Sequence, residues 1–321
     1  MSGFSPWPSV LGIAPPGSTC GGQSGTACDR FPADGRRGAA HRVQAVLREL
    51  SLVIRKLVVV ADDLGACVAT NKGVLQAHRE GIVTAASLLV GMPSSKAAAE
   101  AAAAQGLPLG LHVRLTAGPP LSPGPATIGL ARAGRFCALP QVLARLSLGG
   151  AELRRVLIEE LRAQVQAFEG LVAQADHINS HHHLHLHPAV LEPFLEVASQ
   201  AGFPALRWPV ERGSSGASPV RWAQAQAFAL LARRGRVSLA SSGLFTSDHF
   251  RGLAAMGALN AQALAAILRG LPSGLTELMC HPVAGAVGEP GTQELASLCA
   301  VSVRQQLEAE SIQLGSFAEL C

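Results

Sequence analysis

No tyrosine occurs among the 321 residues; aromatic side chains amount to 4% and charged ones to 15%. The formal net charge of +4 is spread thinly, with no Lys/Arg-rich run and no interleaved aromatic stripe, which argues against nucleic acid as a partner. The seven cysteines (Cys20, Cys28, Cys67, Cys137, Cys280, Cys299 and Cys321) form no CxxC pair. An odd count without such pairs argues against a disulfide framework or a cysteine zinc knuckle and fits idle thiols in a reducing compartment. Long hydrophobic runs are also missing, so no membrane span is expected. The start of the chain lacks a basic segment followed by a continuous apolar core, so no secretory signal is read and the expected compartment is the cytoplasm. What is plentiful is apolar surface: at 48% hydrophobic residues the chain can build a sizeable core, which speaks against global disorder.

Residues 1–50 differ from the rest. They are rich in Pro, Gly and Ser without sustained periodicity, and are read as a disordered or start-site extension, with a short helix conceivable in AAHRVQAVLREL. Residues 51–321 are read as one domain, with order starting at Lys56. There, buried β-branched runs alternate with helical periodicity. LVVVADD, TAASLLVG, LPLGLHVRL and ADHINS read as the first four strands, and ALRWPV, RVSLASS and LTELMCH as later ones. Helices are expected in NKGVLQAHRE, SSKAAAEAAAAQG and AELRRVLIEELRAQVQAFEGLV, and around 219–234, 260–270 and 293–309. The Pro/Gly-rich TAGPPLSPGPATIG reads as a long loop. Strands alternating with helices imply βαβ units and a parallel sheet, and about seven such units suit a distorted TIM-like (β/α) barrel.

HINSHHHLHLHP, residues 177–188, holds six of the eleven histidines. It is internal and broken by leucines, unlike a purification tag. His177, Asn179, His181, His183, His185 and His187 share one parity, so an extended segment would present a metal-competent face. Pro188 then suits the first turn of the helix PAVLEPFLEVASQAG.

In a βα barrel the working residues sit at the C-terminal strand ends. The first strand ends in Asp62-Asp63, the third carries His112, the fourth runs into the histidine cluster, and the last ends at Cys280-His281-Pro282. One carboxylate and two imidazoles can hold a divalent metal with positions left for water and a substrate oxygen. A second carboxylate can take a proton from that water, and an imidazole can protonate a leaving amine. These are the parts of metal-assisted amide hydrolysis. Each also has a plain structural explanation: paired aspartates make turns and helix caps, and a lone histidine is often a hydrogen-bonded core residue. A metal-dependent amidase or phosphoesterase on the same barrel, or a His-rich metal-binding protein without activity, remain alternatives. No glycine-rich phosphate loop opening a helix supports the phosphoesterase.

VVVADDLG (58–65), NKGVLQAHREGIVTAASLLV (71–90), GLHVRLTAGPPL (110–121), ADHINSHHHLHLHP (175–188), LRWPVE (206–211), ELMCHP (277–282) and the closing LGSFAEL (314–320) resemble the YdjC-like carbohydrate deacetylases. That family includes chito-oligosaccharide deacetylase and the hopanoid-associated deacetylase-like proteins. The resemblance implies removal of an acetyl group from an N-acetylated sugar, on an N-acetylglucosamine-containing oligosaccharide or glycolipid. It also implies one divalent metal, magnesium, held by Asp63, His112 and His181; the donor set itself suits zinc or manganese equally. Asp62 would be the general base and His281 the general acid, while His183, His185 and Arg207 would face or support the substrate. His182, of opposite parity, is expected to be structural. An acetylated sugar is the expected partner, with no nucleic acid, no membrane span and a homodimer as an open possibility. Leu64 departs from the phenylalanine frequent in the family.

Overall fold

The computed structural model describes residues 54–212, 219–289 and 291–320, all within one unit running from Leu47 to Cys321. The extension assigned to residues 1–50 lies outside the described residues. The strands are β1 (Arg55–Leu64), β2 (Ala85–Leu88), β3 (Leu109–Val113), β4 (Ala131–Arg132), β5 (Arg135–Phe136), β6 (Ala175–Ser180), β7 (His249–Arg251), β8 (Gly274–Cys280) and β9 (Ile312–Leu314). Strands β6-β3-β2-β1-β8-β7 lie side by side in that order, all parallel, with β9 pairing the start of β1. Strands β4 and β5 form a separate small hairpin inside the Pro/Gly-rich connection that follows β3.

The seventh stave of the wall is the chain at 205–211. It meets β6 through Ile178↔Leu206 and β7 through Glu211↔Phe250, both parallel, with Ala205↔Phe245 between. The sheet thus curls into a distorted barrel in which one stave is held by single bridges. ALRWPV, expected as a strand, supplies this stave without a continuous ladder. Trp-Pro accounts for part of that, because Pro209 has no N–H to donate.

Strand β1 is central and buried on both faces, which is why it reads as a continuous apolar run rather than an alternation. Leu57, Val59 and Ala61 join the large cluster under the helices, while Val58 and Val60 join Ala85, Ala205, Leu275, Phe317 and Leu320 in a smaller one inside the barrel. The short helix Phe317–Leu320 therefore plugs one end of the barrel. By parity Asp62 continues the inner row.

Three sequence expectations are corrected. RVSLASS is not a strand but the helix Arg236–Ser242, following directly on the helix Pro219–Arg234. Its alternating Val237 and Leu239 imitate a strand, but Gly235 does not end the helical path. A Cβ at Gly235 would fall 2.5 Å from the Leu191 side chain, so this glycine serves close packing. The strand of this region is instead β7, which begins at His249. The histidine run is also not extended: β6 stops at Ser180, and 181–186 forms a tight 3-10 turn with His182 and His183 at positive φ (56° and 53°). The helix expected over 293–309 is divided into Thr292–Leu298 and Val301–Ala309.

Candidate active site

The C-terminal ends of β1, β3, β6 and β8 bring together Asp62, Asp63, His112, His181 and His281. Strict alternation would turn Asp63 away from Asp62. It does not, because Asp63 adopts the left-handed conformation (φ 64°) and the β1–β2 register shifts between Ala61 and Leu64. Aspartate tolerates this conformation better than most side chains. A left-handed kink at Asp63, in place of continued extended strand, lets both carboxylates reach the site.

Asp63, His112 and His181 each offer one ligand atom, and these atoms lie within 4.8 Å of one another. Asp63 Oδ1 faces His181 Nδ1 at 3.1 Å and His112 Nε2 at 3.4 Å. The same oxygen is buried yet accepts no aligned hydrogen bond from either ring. An acceptor oriented toward two imidazole nitrogens but satisfied by neither fits a shared cation, and the donor chemistry matches a divalent metal. Burial would raise the Asp63 carboxyl, but the two imidazoles outweigh it and hold it well below the usual range. His112 is buried, which would lower it, and the adjacent carboxylates of Asp62 and Asp63 raise it instead.

His112 Nδ1 lies 2.6 Å from the Asn179 side-chain amide. Reversing the amide would let its oxygen accept from Arg207 at 3.1 Å. An imidazole that offers Nε2 to a metal carries its proton on Nδ1, which requires an acceptor there. We therefore orient the amide oxygen to His112, and its nitrogen then donates to Ser87 Oγ at 2.7 Å and Asp62 Oδ1 at 3.3 Å. From Ser87 the chain of contacts continues to His177 Nε2 (2.9 Å) and from His177 Nδ1 to Asp176 (2.9 Å). Gly110 makes room for this chain: a Cβ there would sit 2.5 Å from the His177 ring. Asn179, Ser87 and the Asp176-His177 pair were missed as support for the site, although polar residues at both faces of a buried strand were the available signal.

Asp62 is buried, and Arg207 grips it with two guanidinium nitrogens while donating its Nε to Glu277 Oε1 at 2.6 Å. Burial would raise the Asp62 carboxyl; Arg207, then His112, overcome this and hold it well below the ordinary range. Burial lifts Glu277 above its ordinary value despite Arg207. Glu277 was quoted within a motif but given no role; a charge inside an apolar strand was its signal. His281 Nε2 lies 3.9 Å from Asp62 Oδ2. Its backbone N–H donates to Glu294 at 2.7 Å, which fixes the turn after β8.

The remaining histidines divide by the tight turn, not by parity. His182 meets Thr116 Oγ1 at 3.1 Å beside His181. Burial and His181 lower it to about 4. His183 and His185 are buried, pressed on Phe228 and Phe250 and on Phe194 respectively. Burial lowers both, His185 to about 3, so they are neutral. His185 Nδ1 meets Ser180 Oγ at 2.7 Å, and His187 caps the helix Pro188–Gln200.

Residues 56–309 match the family model for YdjC-like protein. A carbohydrate deacetylase of Homo sapiens is 33% identical over 299 residues, covering 83% of this chain and 91% of that protein. A carbohydrate deacetylase of Brevibacillus brevis is 32% identical over 275 residues, covering 83% of this chain and 99% of that protein. A solved structure from Enterococcus faecalis V583, of a protein named for cellobiose-phosphate cleavage, superposes with a TM-score of 0.65 at 23% identity. It covers 84% of this chain and 99% of that one, and supports the barrel fold. The match along most of the described barrel, together with relatives aligned nearly end to end, shows that the chain belongs to the YdjC-like family.

Proposed function

We propose that the protein is a metal-dependent hydrolase that removes the acetyl group from an N-acetylated sugar, releasing acetate and a free amine. The observation that carries this reading is the placement of Asp62 and His281 3.9 Å apart beside the Asp63, His112 and His181 cluster. The relatives' name, carbohydrate deacetylase, supplies the substrate class.

Asp63, His112 and His181 would hold a divalent ion, which would supply Lewis-acid polarisation of the acetyl carbonyl and a lowered pKa for the attacking water. The family resemblance implies magnesium, and the two imidazoles suit zinc or manganese as well. Asp62 takes the proton of the water that attacks the acetyl carbon, and Arg207 keeps that carboxylate ionised and aimed. As the C–N bond breaks, His281 gives a proton to the leaving nitrogen. Arg207 acts from behind Asp62, and His183 and His185 support the site from the buried layer in which they pack on Phe228, Phe250 and Phe194. Among the described residues no helix is long and apolar enough to cross a membrane. We read the partner as a small acetylated sugar rather than nucleic acid, with a cytoplasmic setting and a homodimer as the assembly to test.

Asp62→Asn leaves an oxygen for Arg207 and removes the proton acceptor. The expected result is unchanged metal content and turnover lower by about 10²–10⁴-fold, with KM much less affected. Acetate release from a short N-acetylglucosamine oligomer and elemental analysis measure the two. Loss of metal would exchange the roles of the two aspartates, and full activity would remove Asp62 from the chemistry.

A further inference from the structure

Away from the metal cluster, a cavity of about 290 Å³ opens in the bridged part of the wall, between 208–212 and 246–251 and beneath the helices Pro219–Arg234 and Arg236–Ser242. Four arginines border it: Arg212, Arg233, Arg236 and Arg251. Among the described residues none of the four has a carboxylate within 4.0 Å, although ten other arginine and histidine residues and one lysine of the chain are so paired. Two acids stand near them: Asp248, which also borders the cavity, accepts from Leu275 N at 2.8 Å, and Glu211, close enough to Arg251 to feel its charge, accepts from Ala254 N at 2.8 Å. A second observation is independent of charge. Ser247 borders the same cavity, is only 8% exposed, and its hydroxyl has no hydrogen-bond partner. Buried hydroxyls are rarely left unpaired, and one in a residue beside a cavity bordered by four arginines fits an oxygen-rich ligand.

The cavity is separate from the inner site. Phe250 lies between them, its ring 5.7 Å from the Arg207 guanidinium carbon and 6.1 Å from the His183 ring. Neighbouring strand residues point to opposite faces, so His249 and Arg251 turn away from Arg207, as Trp208 does on the facing stave.

We propose that this cavity binds a tetrahedral oxyanion, a phosphate dianion free or carried as a small monoester, with the guanidinium groups neutralising it and the Ser247 hydroxyl donating to one oxygen. Guanidinium forks match phosphate geometry, and a concave enclosure of this size admits one such group rather than a polymer backbone.

The test is calorimetric and thermal titration of the full chain with inorganic phosphate and with phenyl phosphate, against sodium chloride of equal ionic strength. Saturable one-to-one binding is expected, with a melting temperature raised on the order of 5 °C at about a hundredfold excess over Kd. Preference for phenyl phosphate identifies a monoester as the ligand, and equal affinity identifies the free ion. The exposed pair Arg233→Gln with Arg236→Gln should weaken binding by about 10²-fold or more, and Ser247→Ala by about five-fold, while acetate release stays unchanged. A melting shift reproduced by chloride, or binding that survives both sets of substitutions, overturns the site.

Discussion

The two sides of this barrel are built differently. From β8 through β1, β2 and β3 to β6, neighbouring strands share parallel ladders of three or more residue pairs. From 205 to 251 the wall is a stave held by single bridges and the three-residue β7. The laddered side carries Asp62, Asp63, His112, His181 and His281, whose geometry tolerates little drift. The bridged side contributes one side chain to that site, Arg207, and otherwise presents arginines to its own cavity. Precision is concentrated where hydrogen-bonded backbone fixes it, and the looser side is tied in by charge.

Arg207→Met tests that tie and should have the largest effect. It leaves Asp62 and Glu277 buried and unpaired, a change that costs about 3–5 kcal/mol in comparable sites, and so lowers the melting temperature by roughly 10 °C. A fall of only a degree or two would mean the two sides are held by packing alone. Asn179→Ala lies wholly on the laddered side. It removes the acceptor for His112 Nδ1 and should weaken the affinity for added divalent metal by about 10–100-fold, read by competition with a chelating dye. Unchanged affinity would detach Asn179 from the cluster. The smallest effect is expected from Asn260→Ala. Asn260 caps the helix Ala261–Arg269 by accepting from Ala263 N at 2.8 Å, so its loss should cost about 1 kcal/mol in urea unfolding and leave metal affinity and turnover alone. A drop in turnover there would show that stability between β7 and β8 is coupled to the chemistry.

The same division governs how much the sequence disclosed. Strands buried on both faces announce themselves as apolar runs, and ADHINS coincides with β6 residue for residue. The strand-end rule singled out Asp62, Asp63, His112 and His281, which the fold brings to the same end of the barrel. On the bridged side, a three-residue strand and a Pro-interrupted stave leave almost no periodic signal, and Val237 and Leu239 offered a false one. The histidine run misled for another reason: alternation holds only while the chain stays extended, and consecutive left-handed residues at His182 and His183 cannot be read from composition. Arg207, Asn179 and Ser87 act through partners 145, 117 and 92 positions away along the chain, which no local pattern encodes.

Ser87, His177 and Asp176 stand in hydroxyl–imidazole–carboxylate order, the sequence of groups that makes serine a nucleophile in many hydrolases. Here all three are buried, with relative exposures of 0%, 0% and 2%, and Asn179 occupies the far side of the hydroxyl. Without an approach for a carbonyl carbon, the same spacing becomes a strut: it stiffens the floor on which the histidine of β3 rests. A template that matches distances alone would nominate the wrong serine in this fold. What separates a nucleophile from a brace, in a barrel whose interior is polar along much of its length, is a door.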